Sequence, residues 1–352
     1  MGTNAVDAEK LKTFVVQVLE KAGIASEDAQ LAAEVLVATD IRGTRTHGVR
    51  QLRRYVDQIK LGGINAKADI QVTRSGPTWA VVDGQSGLGM VTAYKAMKLA
   101  MAKASSDFVG IVTVRNSNHP GAIGYYANMC VQKDMIGLAT TNADPTMSVP
   151  GSAGRVLGTN PLAYAFPAGR ERSITLDIAT STVSGVKIEQ AAREGRAVPE
   201  GWIVDRRGCP TTDPAALAAG GAHLPVGGHK GYGLALMVEI LTGVLSGSAV
   251  MDEIHSFARS PEKPSNVSHF FLAMNIGVMV PISEFKGRLD TVAEKIRSLS
   301  KEGEHIYLPG EIEVLEEEKA KTQGVCLDES TLSDLRLLAQ DFKVRCPYPW
   351  AQ

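Results

Sequence analysis

Leu11, Phe14, Val15, Val18 and Leu19 recur at spacings of three and four, a pattern that predicts an amphipathic helix closed by Gly23. Ser26-Glu27-Asp28 then reads as a helix start, with Ser26 as N-cap and the helix running to about Gly43. A third helix is expected over 46–61, stopped by Gly62-Gly63. Beyond it the texture changes. Residues 79–83, 109–114 and 135–141 are short apolar runs rich in Val, Ile and Thr, and each reads as a strand. Helices are expected over 93–104 and 122–133. Two further short apolar runs occupy 162–166 and 174–178, and a helix is expected over 183–194. The stretch 195–224, rich in Gly, Pro and Ala, reads as an excursion over the surface. An apolar helix over 231–245, a mobile loop over 250–267, a strand over 269–274 and a helix within 282–300 follow. Alternating strands and helices argue for an α/β protein with helices against a central sheet.

At 352 residues the chain is long for one domain, so two packed lobes are expected. Its 37 basic and 38 acidic side chains leave a net charge of -1, which gives no field to attract nucleic acid or an anionic membrane. No apolar run approaches the roughly 18–20 residues of a membrane span. The N-terminus lacks a signal pattern, and Val6 stands where a myristoylation motif at Gly2 needs Ser or Thr. Cys130, Cys209, Cys326 and Cys346 are scattered, which fits a reducing cytoplasm and predicts neither structural zinc nor any other metal site.

Two histidines stand out. His47 lies in Arg45-Thr46-His47-Gly48-Val49-Arg50-Gln51-Leu52-Arg53-Arg54-Tyr55. On a helix, His47, Arg50 or Gln51, Arg54 and Tyr55 would share one face. Such a face holds a carboxylate on a guanidinium while an imidazole exchanges a proton nearby. A solvated basic helix face is the competing reading. His119 lies in Asn116-Ser117-Asn118-His119-Pro120-Gly121, just past the 109–114 strand, where sites in α/β sheets usually form. The 135–141 strand ends likewise in Asn142-Ala143-Asp144-Pro145, and Asp144 is expected to orient an imidazole or a substrate hydroxyl. Plain helix and turn capping would also account for these Asn, Ser and Asp residues.

No strand-GxGxxG-helix unit is present, so the Rossmann fingerprint is absent. The glycines of 83–89 read as a turn. The run Gly227-Gly228-His229-Lys230-Gly231-Tyr232-Gly233 leads into a helix and could receive a phosphate. Gly158-Thr159-Asn160-Pro161 and Asp177-Ile178-Ala179-Thr180-Ser181 supply polar backbone at strand ends.

Read in order, Thr-His-Gly (46–48), Asn-His-x-Gly-Ala (118–122), Gly-Thr-Asn-Pro (158–161), Asp-x-Ala-Thr-Ser (177–181), Lys-Gly-Tyr-Gly (230–233) and Pro-Gly-Glu (309–311) resemble the malate/L-lactate dehydrogenase family of the non-Rossmann type. That family also contains sulfolactate, ureidoglycolate and diketogulonate oxidoreductases and a reductase of cyclic imino acids. The resemblance covers nearly the whole chain. It implies an α/β, non-Rossmann NAD(P)-binding fold with a helical N-terminal region and a mixed central sheet. It implies a homodimer in which 1–120 with 300–352 form a substrate and dimerisation domain and 121–299 a cofactor domain. His47 and His119 both match family histidines read as the acid/base, and Asp144 matches a substrate-side acidic position of some members. Thr46, Arg50, Gln51, Arg54 and Tyr55 are the implied substrate-binding set. Thr159, Asn160, Asp177, Ile178, Ala179, Thr180, Ser181, Lys230, Gly231, Pro309, Gly310 and Glu311 are the implied NAD or NADP contacts. Three departures stand out: Gln51 replaces the usual Arg, Thr46 the commoner Ser, and Pro120 the commoner Phe.

The expected activity is hydride transfer between NAD(P) and a small 2-hydroxy acid or its 2-oxo acid, such as malate, lactate or sulfolactate. The nearer alternative is an NAD(P)H-dependent reductase of cyclic 2-imino acids, which Gln51 keeps open. The farther one is a binding protein that has kept the fold and lost turnover.

Overall fold

The computed structural model describes residues 5–348, so Gly2 lies outside the described residues. In chain order the elements are β1 (Ala5–Val6), α1 (Ala8–Lys21), α2 (Ser26–Ile41), α3 (Leu52–Leu61), β2 (Gln71–Ser75), β3 (Trp79–Asp83), α4 (Gly89–Asp107), β4 (Val109–Ser117), α5 (Gly124–Val131), β5 (Met135–Thr141), β6 (Leu162–Phe166) and β7 (Ile174–Ile178). There follow α6 (Gly185–Arg193), β8 (Ile203–Val204), β9 (Pro210–Thr211), α7 (Ala215–Ala218), β10 (Ala222–His223), α8 (His229–Glu239), β11 (Val267–Asn275), α9 (Ile282–Arg297), α10 (Glu311–Gln323), β12 (Val325–Cys326) and α11 (Glu329–Phe342).

The N-terminal helices form where the apolar periodicity placed them. Asp7 caps α1 by accepting from the Lys10 amide, and Leu11, Phe14, Val15, Val18 and Leu19 bury its inner stripe. Ser26 is the first residue of α2 rather than its cap; Ala25 occupies the cap and offers no side-chain acceptor. The third helix starts later than its pattern predicts. Val49–Gln51 make a single 3-10 turn, and α3 begins at Leu52 and ends on Gly62 at φ +91°.

One seven-stranded sheet runs in the order β2-β3-β4-β11-β5-β6-β7. Only β3 and β4 pair in parallel; the remaining pairs are antiparallel. The sheet is therefore mixed, with helices over it. It takes strands from both sides of residue 120. β11 returns from far along the chain to lie between β4 and β5, so these two strand ends are not neighbours. Both run antiparallel to β11, so their C-terminal ends still emerge on one side of the sheet.

That geometry seats the site. β11 carries His269 into the interior, where Nδ1 bonds the Thr141 hydroxyl at 2.8 Å and Nε2 the Ser117 hydroxyl at 2.9 Å. Burial holds this imidazole down at about 3, so it ties the two strand ends together as a neutral group.

Three expectations need correction, and two helices went unread. The excursion over 195–224 contains a small sheet of order β10-β8-β9 and its own apolar cluster around Ile188 and Ile203. The helix expected over 231–245 is α8 followed by a π-helical turn at Ile240–Val244. The loop over 250–267 is anchored: His255 N donates to Ser265 O, and Ser265 N donates to Asn118 Oδ1. The C-terminal α10 and α11 were not anticipated from the pattern.

Candidate active site

A cavity of about 620 Å³ opens where β4, β5 and β7 end. His47, His119, Arg54 and Asp144 all line it. The two histidines arrive from separate turns. His47 sits in the turn before the 3-10 segment, where its amide donates to Thr44 O. Gly48 permits this turn because a Cβ there would stand 2.0 Å from Asp40 Oδ1. Asp40 in turn accepts from the Val49 amide at 2.8 Å, and burial lifts its carboxyl to about 7.

His119 is fixed by a knot of hydrogen bonds. The preceding Asn118 is fully buried, and its amide donates to Ser86 O at 2.8 Å and Gly87 O at 3.0 Å. The glycine run at 83–89, read as a simple turn, is thus the bed on which Asn118 rests. Gly89 lies so close beneath that a Cβ would meet Asn118 O at 2.1 Å.

The rings form a stack. His119 lies 5.6 Å from His47, inclined by 19°, and 4.6 Å from Phe257, inclined by 16°. Phe257 therefore provides an aromatic wall although position 120 is proline. The Tyr55 hydroxyl bonds His119 Nδ1 at 2.7 Å, and the Gly121 amide donates to the same nitrogen at 3.3 Å. An amide can only donate, so Nδ1 is an acceptor and the neutral ring carries its proton on Nε2. His47 differs: its Nδ1 meets the Thr46 hydroxyl at 2.8 Å, and a hydroxyl can either give or take. Among the described residues neither Nε2 has a hydrogen-bond partner.

Both imidazoles border the cavity, yet protein surrounds them closely enough to desolvate them. Desolvation holds His47 below its ordinary range; for His119 it acts with the neighbouring His47, His269 and Arg54 to hold it well below. Tyr55 is completely buried and pushed far upward, so its hydroxyl stays protonated and donates.

The shared helix face expected for this segment does not exist, because His47 precedes the helix. Arg50 turns away and pairs with Asp328 at 2.9 Å. Arg54 faces the cavity and lies 5.7 Å over the Phe257 ring. Gln51 holds it: its amide nitrogen donates to Thr46 O at 2.7 Å, and its oxygen accepts from Arg54 at 3.1 Å. Tyr55 contacts His119 rather than the cavity. Asp144 bonds no imidazole; its partner is Arg259, at 2.7 Å.

The fold and this histidine pair set the frame for comparison with known proteins. The family model described as malate/L-lactate dehydrogenase matches residues 6–336. The chain belongs to the malate/L-lactate dehydrogenase family. It is 42% identical over 344 residues to malate dehydrogenase of Pyrococcus horikoshii, covering 95% of this chain and 94% of that one. The solved structure of that enzyme superposes with a TM-score of 0.89 at 40% identity, over 97% of this chain and 96% of that chain. L-sulfolactate dehydrogenase of Methanocaldococcus jannaschii is 40% identical over 334 residues, 95% of this chain and 96% of that one. A Delta(1)-pyrroline-2-carboxylate/Delta(1)-piperideine-2-carboxylate reductase of Pseudomonas putida is 29% identical over 332 residues, 94% of this chain and 95% of that one.

The family motifs occupy different places around the cavity. Thr159, Asp177, Ala179 and Ser181 line it. Asp177 also borders a smaller cavity of about 50 Å³, which shares Thr44 and Ala122 with the first. Its carboxylate accepts from the Gly124 amide at 2.8 Å, and desolvation raises it to about 6 although the cavities keep its surface open. Gly310 lines the smaller cavity and packs on Thr175, while Pro309 O accepts from the Thr175 amide. Glu311 is committed to Arg297, to His305 and to the Leu308 amide. Asn160 is buried and bonds Ala235 O and Glu239, so it braces the loop instead of facing the cavity. Ile178 and Thr180 alternate away from it, and the Thr180 hydroxyl donates to Thr159 O. Lys230 and Gly231 lie outside both cavities; Gly231 packs on Thr180 O, and Lys230 is exposed beside it. Phe257, Arg155, Arg259 and His223 also face the main cavity. None carried a sequence signal, because each is an isolated residue in a loop or short strand.

Proposed function

We propose that this chain is an NAD(P)-dependent oxidoreductase that interconverts a 2-hydroxy acid and its 2-oxo acid. The observation that carries the reading is a pair of stacked imidazoles, each with an Nε2 that has no partner among the described residues, beside a cavity-facing arginine. The neighbouring cavities suit the cofactor. At about 620 Å³ the larger falls within the roughly 300–1,000 Å³ typical of such clefts. Its abutment on the smaller one at Asp177, Thr44 and Ala122 suits an extended two-part ligand, and Arg42, paired with Glu317 at 3.3 Å, lines the second part. Asp177, Ala179 and Gly310 are the residues that would hold it. When bound there, a nicotinamide cofactor would provide the hydride chemistry.

The protein's own residues handle the proton and the carboxylate. Arg54 presents a guanidinium to the substrate carboxylate, and Gln51 aims it. His119, with its proton on Nε2, donates a hydrogen bond to the reacting oxygen and polarises it. A neutral imidazole does not give that proton up readily, so the transfer falls to His47. When the Thr46 hydroxyl accepts from Nδ1, Nε2 of His47 is free as base. Protonated His47 returns the proton in the reductive direction. Such a transfer is typically worth about 10²- to 10⁴-fold. The low position of both imidazoles keeps them neutral at neutral pH, which leaves His47 available as the base.

The exposed side of α8 and its π-turn carries Leu234, Met237, Ile240, Val244 and Leu245, an apolar face that supports a homodimer. Light scattering on wild type and on Ile240→Glu tests this. A monomeric wild type would sink it.

The activity test is the absorbance of reduced nicotinamide with a panel of 2-oxo acids and cyclic imines. His47→Ala is expected to lose about 10²-fold or more in kcat. His119→Gln, which keeps a donor, is expected to lose less. Full activity in both variants ends the proposed chemistry, and reaction with cyclic imines alone favours the reductase reading.

A further inference from the structure

Away from the stacked rings, the same cavity is lined by charge that the proton chemistry does not use. Arg155 is half-buried. Its Nε donates to Gly221 O at 2.9 Å and one terminal nitrogen to Leu217 O at 2.7 Å. Both acceptors are neutral carbonyls, so they fix the guanidinium without cancelling its charge. The second terminal nitrogen has no partner among the described residues. Arg259 stands close by, half exposed, with Asp144 as its salt-bridge partner. Arg155, Arg259 and Asp144 interact electrostatically, so the cluster holds two cations against one carboxylate. His223 borders the same cavity. It is buried, held neutral at about 4, and its Nδ1 has no hydrogen-bond partner among the described residues.

Resting on the 2-hydroxy acid reading, we propose that this cluster is a second anion subsite: Arg155 and Arg259 receive the distal acidic group of a dianionic substrate. Asp144 holds Arg259 in place until that group arrives.

Two features connect the cluster to the reacting centre. Phe257 stacks on His119, and Arg259 lies two residues further along the same segment. Two residues span at most about 7 Å of backbone, so the main chain that carries Arg259 lies near the stacked rings. The carbonyls that fix Arg155 belong to α7 and to the turn before β10. The excursion over 195–224 thereby acquires a task, which is to hold a cation at the cavity wall. A phosphate of the cofactor has the same chemistry as a carboxylate or sulfonate. The link through Phe257 to His119 favours the substrate.

The test is calorimetric binding of unreactive acids to the full chain loaded with NADH or NADPH. Succinate is compared with butyrate, which has the same four carbons and one charge fewer. Wild type is expected to bind succinate at least tenfold more tightly. Arg259→Met and Arg155→Met are each expected to erase most of that preference while leaving butyrate within about twofold. Arg155 also braces the 217–221 turn, so Arg259→Met decides the matter if Arg155→Met misfolds. Equal affinity for the two acids in wild type overturns the subsite, as does an equal loss for both in the Arg259 variant. Loss of NADPH binding with the succinate preference intact assigns the arginines to the cofactor and also overturns it. Turnover of 2-oxo acids is scored separately. Silence there with the succinate preference retained defeats the reaction reading and leaves the subsite standing.

Discussion

The Tyr55 hydroxyl lies 2.7 Å from Nδ1 of His119 and, as a donor, fixes which nitrogen of that ring carries the proton. Tyr55→Phe removes this bond and leaves the longer one from the Gly121 amide. A lost hydrogen bond of this kind costs about 1–3 kcal/mol, so kcat/KM should fall roughly 10- to 100-fold. The pH profile should keep its midpoints, because Tyr55 does not titrate near neutrality. Steady-state kinetics across pH check both statements; unchanged kinetics would mean that stacking alone holds the ring.

Arg54 and Arg50 should behave oppositely. Arg54→Met is expected to raise KM for the 2-oxo acid about tenfold or more. Arg50→Met should leave KM unchanged and cost at most about 1 kcal/mol, since its partner Asp328 is half exposed. Gln51→Leu should fall between the two by releasing Arg54. A larger KM change in the Arg50 variant than in the Arg54 variant would reverse the assignment.

Gly48→Ala should damage stability and activity together. The new methyl would stand 2.0 Å from a buried Asp40 oxygen. Overpacking of this kind costs roughly 1–3 kcal/mol, and relief requires the His47 turn to move. Urea unfolding and the kinetic assay should both register it. Native stability with native activity would show that the turn has room to spare.

Asp40 gives a pH signature. Its carboxyl stands at about 7 in the fold against an ordinary 3.8, so the folded state holds the proton more tightly than the unfolded chain. Its contribution is therefore complete below about 3.8 and is lost as the pH rises to about 7. Asp40→Asn lacks this term. The stability of the variant relative to wild type should improve by about 1 kcal/mol per pH unit over that window and level off above it. Denaturation at pH 5 and pH 8 measures the difference; a constant gap would contradict the buried carboxyl.

Much of the framework was legible from local pattern. β3, β5, β6 and β7 occupy the residues that their apolar runs marked, and the buried stripe of α1 is the one its periodicity named. The order of short motifs, with no Rossmann fingerprint among them, pointed to the family that the comparisons establish. Local signals failed where distant contacts set the geometry. The run from Thr46 to Tyr55 reads as helix, but Asp40, nine residues before Val49, claims its amide and delays the helix start. Arg50 and Arg54 look equivalent in sequence, and Asp328 separates them from the far end of the chain.

The sequence by itself determined which segments become strands and helices, because alternation and helical spacing act over a few residues and record which side is buried. Only the tertiary structure decided which of these segments meet. It inserted β11 between β4 and β5, laid Phe257 on His119, and brought Arg155 and Arg259 to one wall. Those encounters join residues up to more than a hundred positions apart, and they depend on how complementary surfaces pack and how buried polar atoms find partners. Neither condition leaves a repeat or a spacing that can be read along the chain.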